Sequence, residues 1–250
     1  MKVAVIGTGL NGRMAIRVCQ LYGVSVDAFT VDGPLETIDY KRFMTSPLAP
    51  FTDSGLWQGP GPEALDEIIT GMGTYNTYLR KSGGGLAFDY EIEPQKVATH
   101  EALFIRLTPT CPTQPTDLRT IPHLIQEYDR VLYTLPRHLL TGGIAQANLV
   151  FVRVSPLQRE RRAYIIRIND GLEETPFHKY IIYRNQEYWI ESKWPFYGAL
   201  PLSKFIGVRD EQNDLPEGLT PVGRQACGPG DWMLTDSVDR LVQIMKEVTG

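Results

Sequence analysis

Cysteine is scarce in this chain of 250 residues, and its three copies, Cys19, Cys111 and Cys227, lie far apart. An odd number of widely spaced cysteines offers neither a disulfide framework nor the close spacing of a metal site. The chain has only four histidines, and none is paired with a cysteine or an acid at ligand spacing. The sequence therefore predicts no disulfide-stabilised fold and no bound metal.

Two further features are missing, an excess of positive charge and a long apolar run. The net charge is −4 and the pI is about 5.6, which gives no support to a generic nucleic-acid or membrane-surface binder. No apolar stretch approaches the roughly 18 residues of a membrane-spanning helix, and a strand pattern starts at once, without the pattern of a signal peptide. We therefore expect a cytoplasmic protein with neither nucleic acid nor membrane as its partner.

What the sequence does contain is a nucleotide-binding pattern at residues 3–29. A short apolar strand leads into glycines with the spacing G-x-G-x-x-G, and a helical segment and a second strand follow. The first glycine of this motif permits a tight turn, the second lets the backbone approach a pyrophosphate, and the third allows close packing of helix and strand. The pattern predicts dinucleotide binding at the helix N-terminus by residues Gly7, Thr8, Gly9, Leu10, Asn11 and Gly12.

One position departs from the usual form of this motif. An acid that binds the ribose hydroxyls is expected about 20 residues after the glycines, at the end of the second strand. Thr30 occupies that position, and the nearest acid is Asp32. Thr30 can still offer a neutral hydrogen bond, and the lack of basic residues nearby argues against a ligand with a 2′-phosphate.

The remaining chain is predicted to combine this unit with a largely antiparallel β part. Residues 63–72 have a helical pattern, and residues 97–107 have an extended or alternating one. A buried strand is predicted within residues 129–136, and four more at residues 149–154, 162–168, 179–184 and 187–192. An amphipathic helix over residues 237–248 closes the chain, with Thr235 or Asp236 as its N-cap.

The whole chain resembles the flavoprotein superfamily of amine oxidases, protoporphyrinogen oxidase and UDP-galactopyranose mutase. The resemblance rests on the opening motif, the strand region at residues 91–107, the segment YDRVLYTLP at residues 128–136, and the segment from Val222 to Ser237. It implies an α/β fold in which a Rossmann-like FAD-binding domain carries an inserted, mainly antiparallel β substrate part. The FAD-binding domain would comprise residues 1–33, 84–150 and 205–250, and the substrate part residues 34–83 and 151–204.

The resemblance also implies which residues contact FAD. Besides the opening motif and Thr30, these are Val97, Thr134, Gly223, Arg224, Trp232, Met233 and Leu234. The hairpin at residues 175–191 is similar to one in the mutases and makes His178 and Lys179 candidates for meeting an anionic substrate, although a solvated strand edge is the simpler interpretation. His138 follows the segment YDRVLYTLP and is a third catalytic candidate.

Three functions are favoured by the sequence, and a fourth, an NAD-dependent dehydrogenase, has less support because the proline-rich stretch after Val31 does not supply the further βα repeats that it needs. The first is an FAD-dependent oxidoreductase that oxidises a C–N or C–H bond in an amine-like or other small substrate, which a nucleotide or macromolecule could carry. The second is a mutase-like flavoenzyme that acts on a nucleotide sugar without net redox change, and the third is a degenerate dinucleotide-binding protein without catalysis. Because the β part is small, either its site is open or a second subunit completes it in a homodimer.

Overall fold

The computed structural model describes residues 1–31, 45–57, 68–74, 77, 80–81, 95–108, 110–142, 144–156, 165–171, 177–183, 187–209, 215–227 and 234–249. In these residues the helices are α1 (Leu10–Leu21), α2 (Ala49–Asp53), α3 (His100–Arg106), α4 (Ile121–Glu127), α5 (His138–Thr141), α6 (Arg224–Cys227) and α7 (Leu234–Thr249). None of the described helices is long and apolar enough to cross a membrane.

The first sheet is parallel and has five strands in the order β13-β7-β1-β2-β6. These are β1 (Lys2–Ile6), β2 (Ser25–Val31), β6 (Thr113–Thr116), β7 (Arg130–Tyr133) and β13 (Leu219–Pro221). The chain runs from β1 through α1 to β2 on one side, whereas β7 pairs with the other side of β1. The crevice between β1 and β7 is therefore a switch point, the place where ligands bind in open α/β sheets.

Both faces of this sheet are covered, as a parallel sheet requires. Val3 and Val5 face a cluster that includes α1 and α7, while Ala4 and Ile6 face the cluster that contains α4. This alternation fixes the register of β1, because a shift of one residue would exchange its two faces. The N-terminal unit, strand β7 and helix α7 thus belong to one layered arrangement around this sheet.

The second sheet has eight strands in the order β12-β8-β11-β10-β9-β4-β5-β3, and it is antiparallel except between β4 and β9. Its strands are β3 (Thr45–Pro47), β4 (Ile68–Gly73), β5 (Gln95–Thr99), β8 (Ile144–Pro156), β9 (Ile165–Gly171), β10 (Lys179–Tyr183), β11 (Glu187–Ser192) and β12 (Leu200–Arg209). The expected fold class, a Rossmann-like sheet with a mainly antiparallel β part, is confirmed.

The division into domains stays a prediction. Strand β5 lies in the eight-stranded sheet, and a limit at residue 204 would divide β12.

Three local predictions are wrong. Residues 68–72, predicted as helical, belong to strand β4, whose pairing with β9 and β5 outweighs the local pattern. Residues 100–106, predicted as extended, form α3. Helix α7 begins at Leu234, so Thr235 and Asp236 lie inside it and neither is its N-cap. Residues 63–67 and the turn at residues 184–186 lie outside the described part of the chain.

Candidate dinucleotide-binding site

The glycine-rich loop begins where β1 ends, at Gly7. Its φ of 102° lies in the region that favours glycine, and its N–H donates to the carbonyl oxygen of Phe29 at 2.8 Å. A Cβ built on Gly7 would collide with the Thr134 hydroxyl and with the side chain of Leu135. A residue with a side chain is therefore excluded both by conformation and by space.

Gly12, in the first turn of α1, lies directly against the same loop. A Cβ at this position would overlap the carbonyl oxygen of Gly7, so α1 approaches the end of β1 as closely as a backbone can. The third glycine of the motif thus has the packing task that the sequence predicted for it.

Gly9 is the N-cap of α1 and leaves the start of the helix open. The first described helical bond runs from the N–H of Arg13 to the carbonyl of Gly9 at 2.9 Å. No side chain caps α1, its first turn holds no acid, and no described atom lies within 4 Å of a Cβ built on Gly9. The first N–H groups of a helix have no partners within it, and together with the helix dipole they favour an anion here.

Thr134 closes the other side of the crevice. This buried residue follows β7, and its hydroxyl donates to the carbonyl oxygen of Ile6 at 2.9 Å and lies 3.3 Å from that of Gly7. Its own N–H donates to the Ile6 carbonyl at 3.0 Å. The segment YDRVLYTLP therefore ends against the glycine-rich loop.

The segment after β13 also reaches this loop. The N–H of Val222 donates to the Tyr133 carbonyl at 2.9 Å, which brings the next residue, Gly223, onto α1. A Cβ on Gly223 would overlap the side-chain amide of Asn11. The sequence named both residues as cofactor contacts, but it gave no sign that they contact each other.

The position of the missing ribose acid is occupied by a neutral pair. The hydroxyl of Thr8 donates to that of Thr30 at 3.5 Å, so the ends of the first two strands offer hydroxyl groups and no charge at this point. Asp32, the nearest acid in sequence, lies outside the described residues.

Arg13 is a residue of this region that sequence reasoning missed. Its guanidinium lies over the ring of Phe104, 3.4 Å from the centroid, and donates to the Phe104 carbonyl and the Thr108 hydroxyl, each at 2.8 Å. Burial lowers the pKa of Arg13. The side chain thereby links α1 to α3 and helps to hold the helix that follows the glycine-rich loop. Arg13 follows the last glycine of the motif directly, and only the fold shows that it contacts an aromatic residue of a distant helix.

The three catalytic candidates lie in different places. His178 is buried, and its Nε2 is 2.8 Å from Oε1 of the equally buried Glu191, so the expected solvated edge is wrong for this residue. Lys179 begins β10 and pairs with Glu191 in register. His138 begins α5, after the turn that follows β7, and is half-buried.

The other predicted contacts are placed only by their backbone or not at all. Val97 lies on β5, opposite Pro47 of β3, while Arg224 begins α6 and Leu234 begins α7. Trp232 and Met233 fall outside the described residues.

Burial raises the pKa of the Cys227 thiol, and the charges of Arg240 and Arg137 oppose this effect. Within the described ranges no three metal-ligating side chains come together.

Solved structures with this fold are known, although no family model and no curated protein matches the sequence. HpxO of Klebsiella pneumoniae, solved with FAD and uric acid, superposes with a TM-score of 0.54 and 8% identity over 98% of this chain and 79% of its own. CtdE, solved with FAD and a substrate, gives a TM-score of 0.54 and 10% identity over 100% and 80% of the two chains. The 2,6-dihydroxypyridine-3-hydroxylase of Arthrobacter nicotinovorans gives 0.52 and 10% over 99% and 82%.

These similarities show that the chain shares the fold of the three structures. The fold agrees with the one that the resemblance implied, a Rossmann-like sheet with a mainly antiparallel β part. None of the three structures is an amine oxidase or a UDP-galactopyranose mutase, so the finer branch suggested by the sequence is not the one these comparisons support.

Proposed function

We propose that the chain is an FAD-dependent oxidoreductase. The observation that carries this proposal is the crevice between β1 and β7, where the uncapped start of α1 meets the glycine-rich loop. The HpxO and CtdE structures, which share the fold, hold FAD. The described residues at the crevice fit the pyrophosphate of such a cofactor, because they combine space, the free N–H groups at the start of α1 and a first helical turn without an acid.

Each residue of the crevice has a role in this proposal. The N–H groups at the start of α1 bind the pyrophosphate, and Gly9 keeps the approach open. Thr134 and Gly223 hold the loop from two sides, and the Thr8–Thr30 pair offers neutral hydrogen bonds to the ribose. When bound, the flavin supplies the redox chemistry, and the protein supplies binding, orientation and the exclusion of water.

The substrate proposed is a small molecule, free or nucleotide-linked, that is oxidised at a C–H or C–N bond. A C–H bond gains support from the hydroxylase of Arthrobacter nicotinovorans, which is named for hydroxylation of a dihydroxypyridine ring. The mutase alternative loses support from the burial of His178 against Glu191, because a buried pair is poorly placed to meet a nucleotide sugar.

One observation favours a second candidate, a dinucleotide-binding protein without catalysis. The pair of Thr8 and Thr30 replaces the acid that usually binds the ribose, and this change lowers the expected affinity for FAD. Redox activity distinguishes the two candidate functions. A bound flavin that is bleached by a reductant and restored by oxygen supports the enzyme.

The test is to titrate the purified protein with FAD by calorimetry and flavin fluorescence, beside the variants Gly9→Glu and Gln126→Glu. Gly9→Glu places a carboxylate at the start of α1 and should abolish binding, while its circular dichroism stays that of the wild type because the site has room for a Cβ. Gln126→Glu adds the same charge on the exposed side of α4 and should bind FAD normally. A wild-type protein that binds no FAD would overturn the proposal.

A further inference from the structure

The three most exposed large apolar side chains among the described residues lie close together, in the connection from β11 to β12. Trp194, Tyr197 and Leu200 are 66%, 93% and 71% exposed, and every other large apolar side chain of the described residues is less exposed. They belong to the apolar loop, residues 193–200. Single exposed apolar side chains are common on protein surfaces, whereas several in one place mark a surface that binds a partner.

The backbone of the apolar loop has a defined conformation. The N–H of Trp194 donates to the Ser192 hydroxyl at 3.1 Å, just after β11. The N–H of Ala199 donates to the carbonyl oxygen of Phe196 at 3.0 Å and closes a turn. Gly198 in this turn has a φ of 73°, in the region that favours glycine. The exposure of the loop is therefore built into its structure.

Two contacts hold this turn against the second sheet. The ring of Phe196 packs edge-on against that of Phe177, with 5.0 Å between the centroids. The guanidinium of Arg153 on β8 donates to the Tyr197 carbonyl at 3.1 Å and lies 5.7 Å from the centroid of the Phe196 ring. Because the backbone is anchored while the Tyr197 side chain is almost fully exposed, the turn is a fixed, convex tip.

The apolar loop lies in a positively charged stretch of the chain. Residues 192–209 contain Lys193, Lys204 and Arg209 and no acid, although the whole chain has a net charge of −4. Lys193 is exposed, and its ammonium lies 5.5 Å from the centroid of the Trp194 ring. The nearest acid in sequence, Glu191, is buried in the sheet. The exposed surface of the loop therefore combines aromatic rings with a positive charge.

Charge and shape indicate which partner this loop fits. A second copy of the chain docked through the same loop would bring two cationic surfaces together, and they would repel each other. A lipid surface with anionic headgroups has the opposite charge, and it deforms around a convex tip. Trp, Tyr and Lys are also the side chains that lie at the boundary between headgroups and acyl chains.

We propose that the apolar loop docks the protein on a membrane surface that contains anionic phospholipids. Trp194, Tyr197 and Leu200 enter the headgroup region, and Lys193 lies beside the lipid phosphates. The net charge of −4 does not oppose this docking, because attraction to lipid falls off within a Debye length and depends on the charges close to the surface. The inference does not depend on the proposed binding of FAD.

The experiment is flotation of the protein with vesicles of phosphatidylcholine, with and without phosphatidylserine. The wild type should bind the vesicles that contain phosphatidylserine, and added salt should weaken this binding because it screens the attraction. Leu200→Ser and Lys193→Glu should each bind about tenfold more weakly, since the first removes inserted apolar surface and the second reverses a charge at the lipid surface.

Two control variants match these changes elsewhere on the surface. Ile105→Ser removes an apolar side chain that is 63% exposed on α3, and Lys246→Glu reverses an exposed charge in the last turn of α7. Both should bind the vesicles as the wild type does. Circular dichroism should show the wild-type fold in all four variants, because each replaced side chain is exposed.

Tryptophan fluorescence gives a second readout of the same event. Emission from Trp194, which faces water in the free protein, should shift to shorter wavelength when vesicles with phosphatidylserine are added. Trp194→Phe keeps an aromatic ring at this position and should still float with the vesicles, while the shift is lost.

Three results would overturn the inference. The first is a wild type that does not float with phosphatidylserine vesicles, or floats equally well without this lipid. The second is equal binding by the wild type and Leu200→Ser. The third is a wild-type dimer in light scattering that Tyr197→Ser converts to a monomer, because a second copy would then cover the loop. Vesicle binding by a protein that binds no FAD would remove the proposed function and leave this inference standing.

Discussion

The hydroxyl of Thr134 donates a hydrogen bond of 2.9 Å to the carbonyl oxygen of Ile6, and both groups are buried. The two residues are 128 positions apart in sequence. Their bond joins β7 to β1 at the point where the backbone leaves the sheet to form the glycine-rich loop. It therefore fixes one wall of the proposed cofactor crevice to the other.

Replacing this hydroxyl by a methyl group tests how much the bond contributes. Thr134→Val should lower the free energy of unfolding by about 1–2 kcal/mol, because the variant leaves the Ile6 carbonyl with one bond fewer in a buried place. Urea denaturation measures the change. Thr249→Val, which removes a hydroxyl bonded to the Met245 carbonyl at the exposed end of α7, should cost less. Equal losses of unfolding free energy in the two variants would show that the hydrogen bond from Thr134 to Ile6 contributes no more to stability than an exposed one.

The close approach of α1 to β1 predicts a strong difference between two glycines of the motif. Gly12→Ala should destabilise the protein by about 1–3 kcal/mol and weaken FAD binding, because the new Cβ would overlap the Gly7 carbonyl and push the helix away. Gly9→Ala should change the stability by less, since no described atom lies within 4 Å of its Cβ. A Gly12→Ala variant as stable as Gly9→Ala would contradict the packing described here.

A cluster at the opposite end of the first sheet predicts a dependence of stability on pH. The Tyr128 hydroxyl donates to Asp27 at 2.7 Å and Lys2 lies 3.0 Å from the same carboxylate, so these two partners hold the pKa of Asp27 below its ordinary value of 3.8. A lowered pKa in the folded state stabilises the protein above the ordinary value, and this contribution is lost as the pH falls through the folded value.

The measurement is the urea midpoint of the wild type and of Asp27→Asn between neutral and strongly acidic pH. The wild type should be more stable at neutral pH, and the difference should shrink as the pH falls below 3.8. Because Asp27 is partly exposed, the difference should be modest and should decrease in high salt. A difference that stays constant through the acidic range would show that the carboxylate charge contributes nothing.

The buried pair of His178 and Glu191 predicts a large loss of stability on removal of one partner. Glu191→Ala should cost about 1–3 kcal/mol, because the His178 ring would lose a hydrogen-bond partner at 2.8 Å in a buried place. Glu247→Ala, at an exposed position of α7, should change the free energy of unfolding by only a few tenths of a kcal/mol. Similar effects in the two variants would mean that the pair is not a structural element of the second sheet.

The N-terminal unit was predictable because its signals are local. The apolar strand, the three glycines and the helix that follows all agree, and the structure has β1, α1 and β2 there. The same is true of the hairpin of β10 and β11, whose alternating aromatic and aliphatic residues give strand bounds close to those observed.

The wrong predictions arose where distant partners decide the conformation. Ile68 pairs with Ile166 of β9 and with Lys96 of β5, and this pairing turns a helical pattern into a strand. Helix α4 was not predicted from the sequence, and its Pro122 lies in the first turn, where proline is well tolerated. The contact of Asn11 with Gly223 was not predictable either, because it depends on how β13 joins the sheet.

The crevice is built from segments of the chain that are synthesised at very different times. The glycine-rich loop comes first, Thr134 follows 128 residues after Ile6, and Gly223 comes later still. Contacts of such high sequence separation make folding slow, because the intervening chain must be closed into a loop before they form. The affinity for the proposed cofactor should therefore arise only when β13 has joined the sheet, so that a nascent chain remains unable to retain flavin before that step.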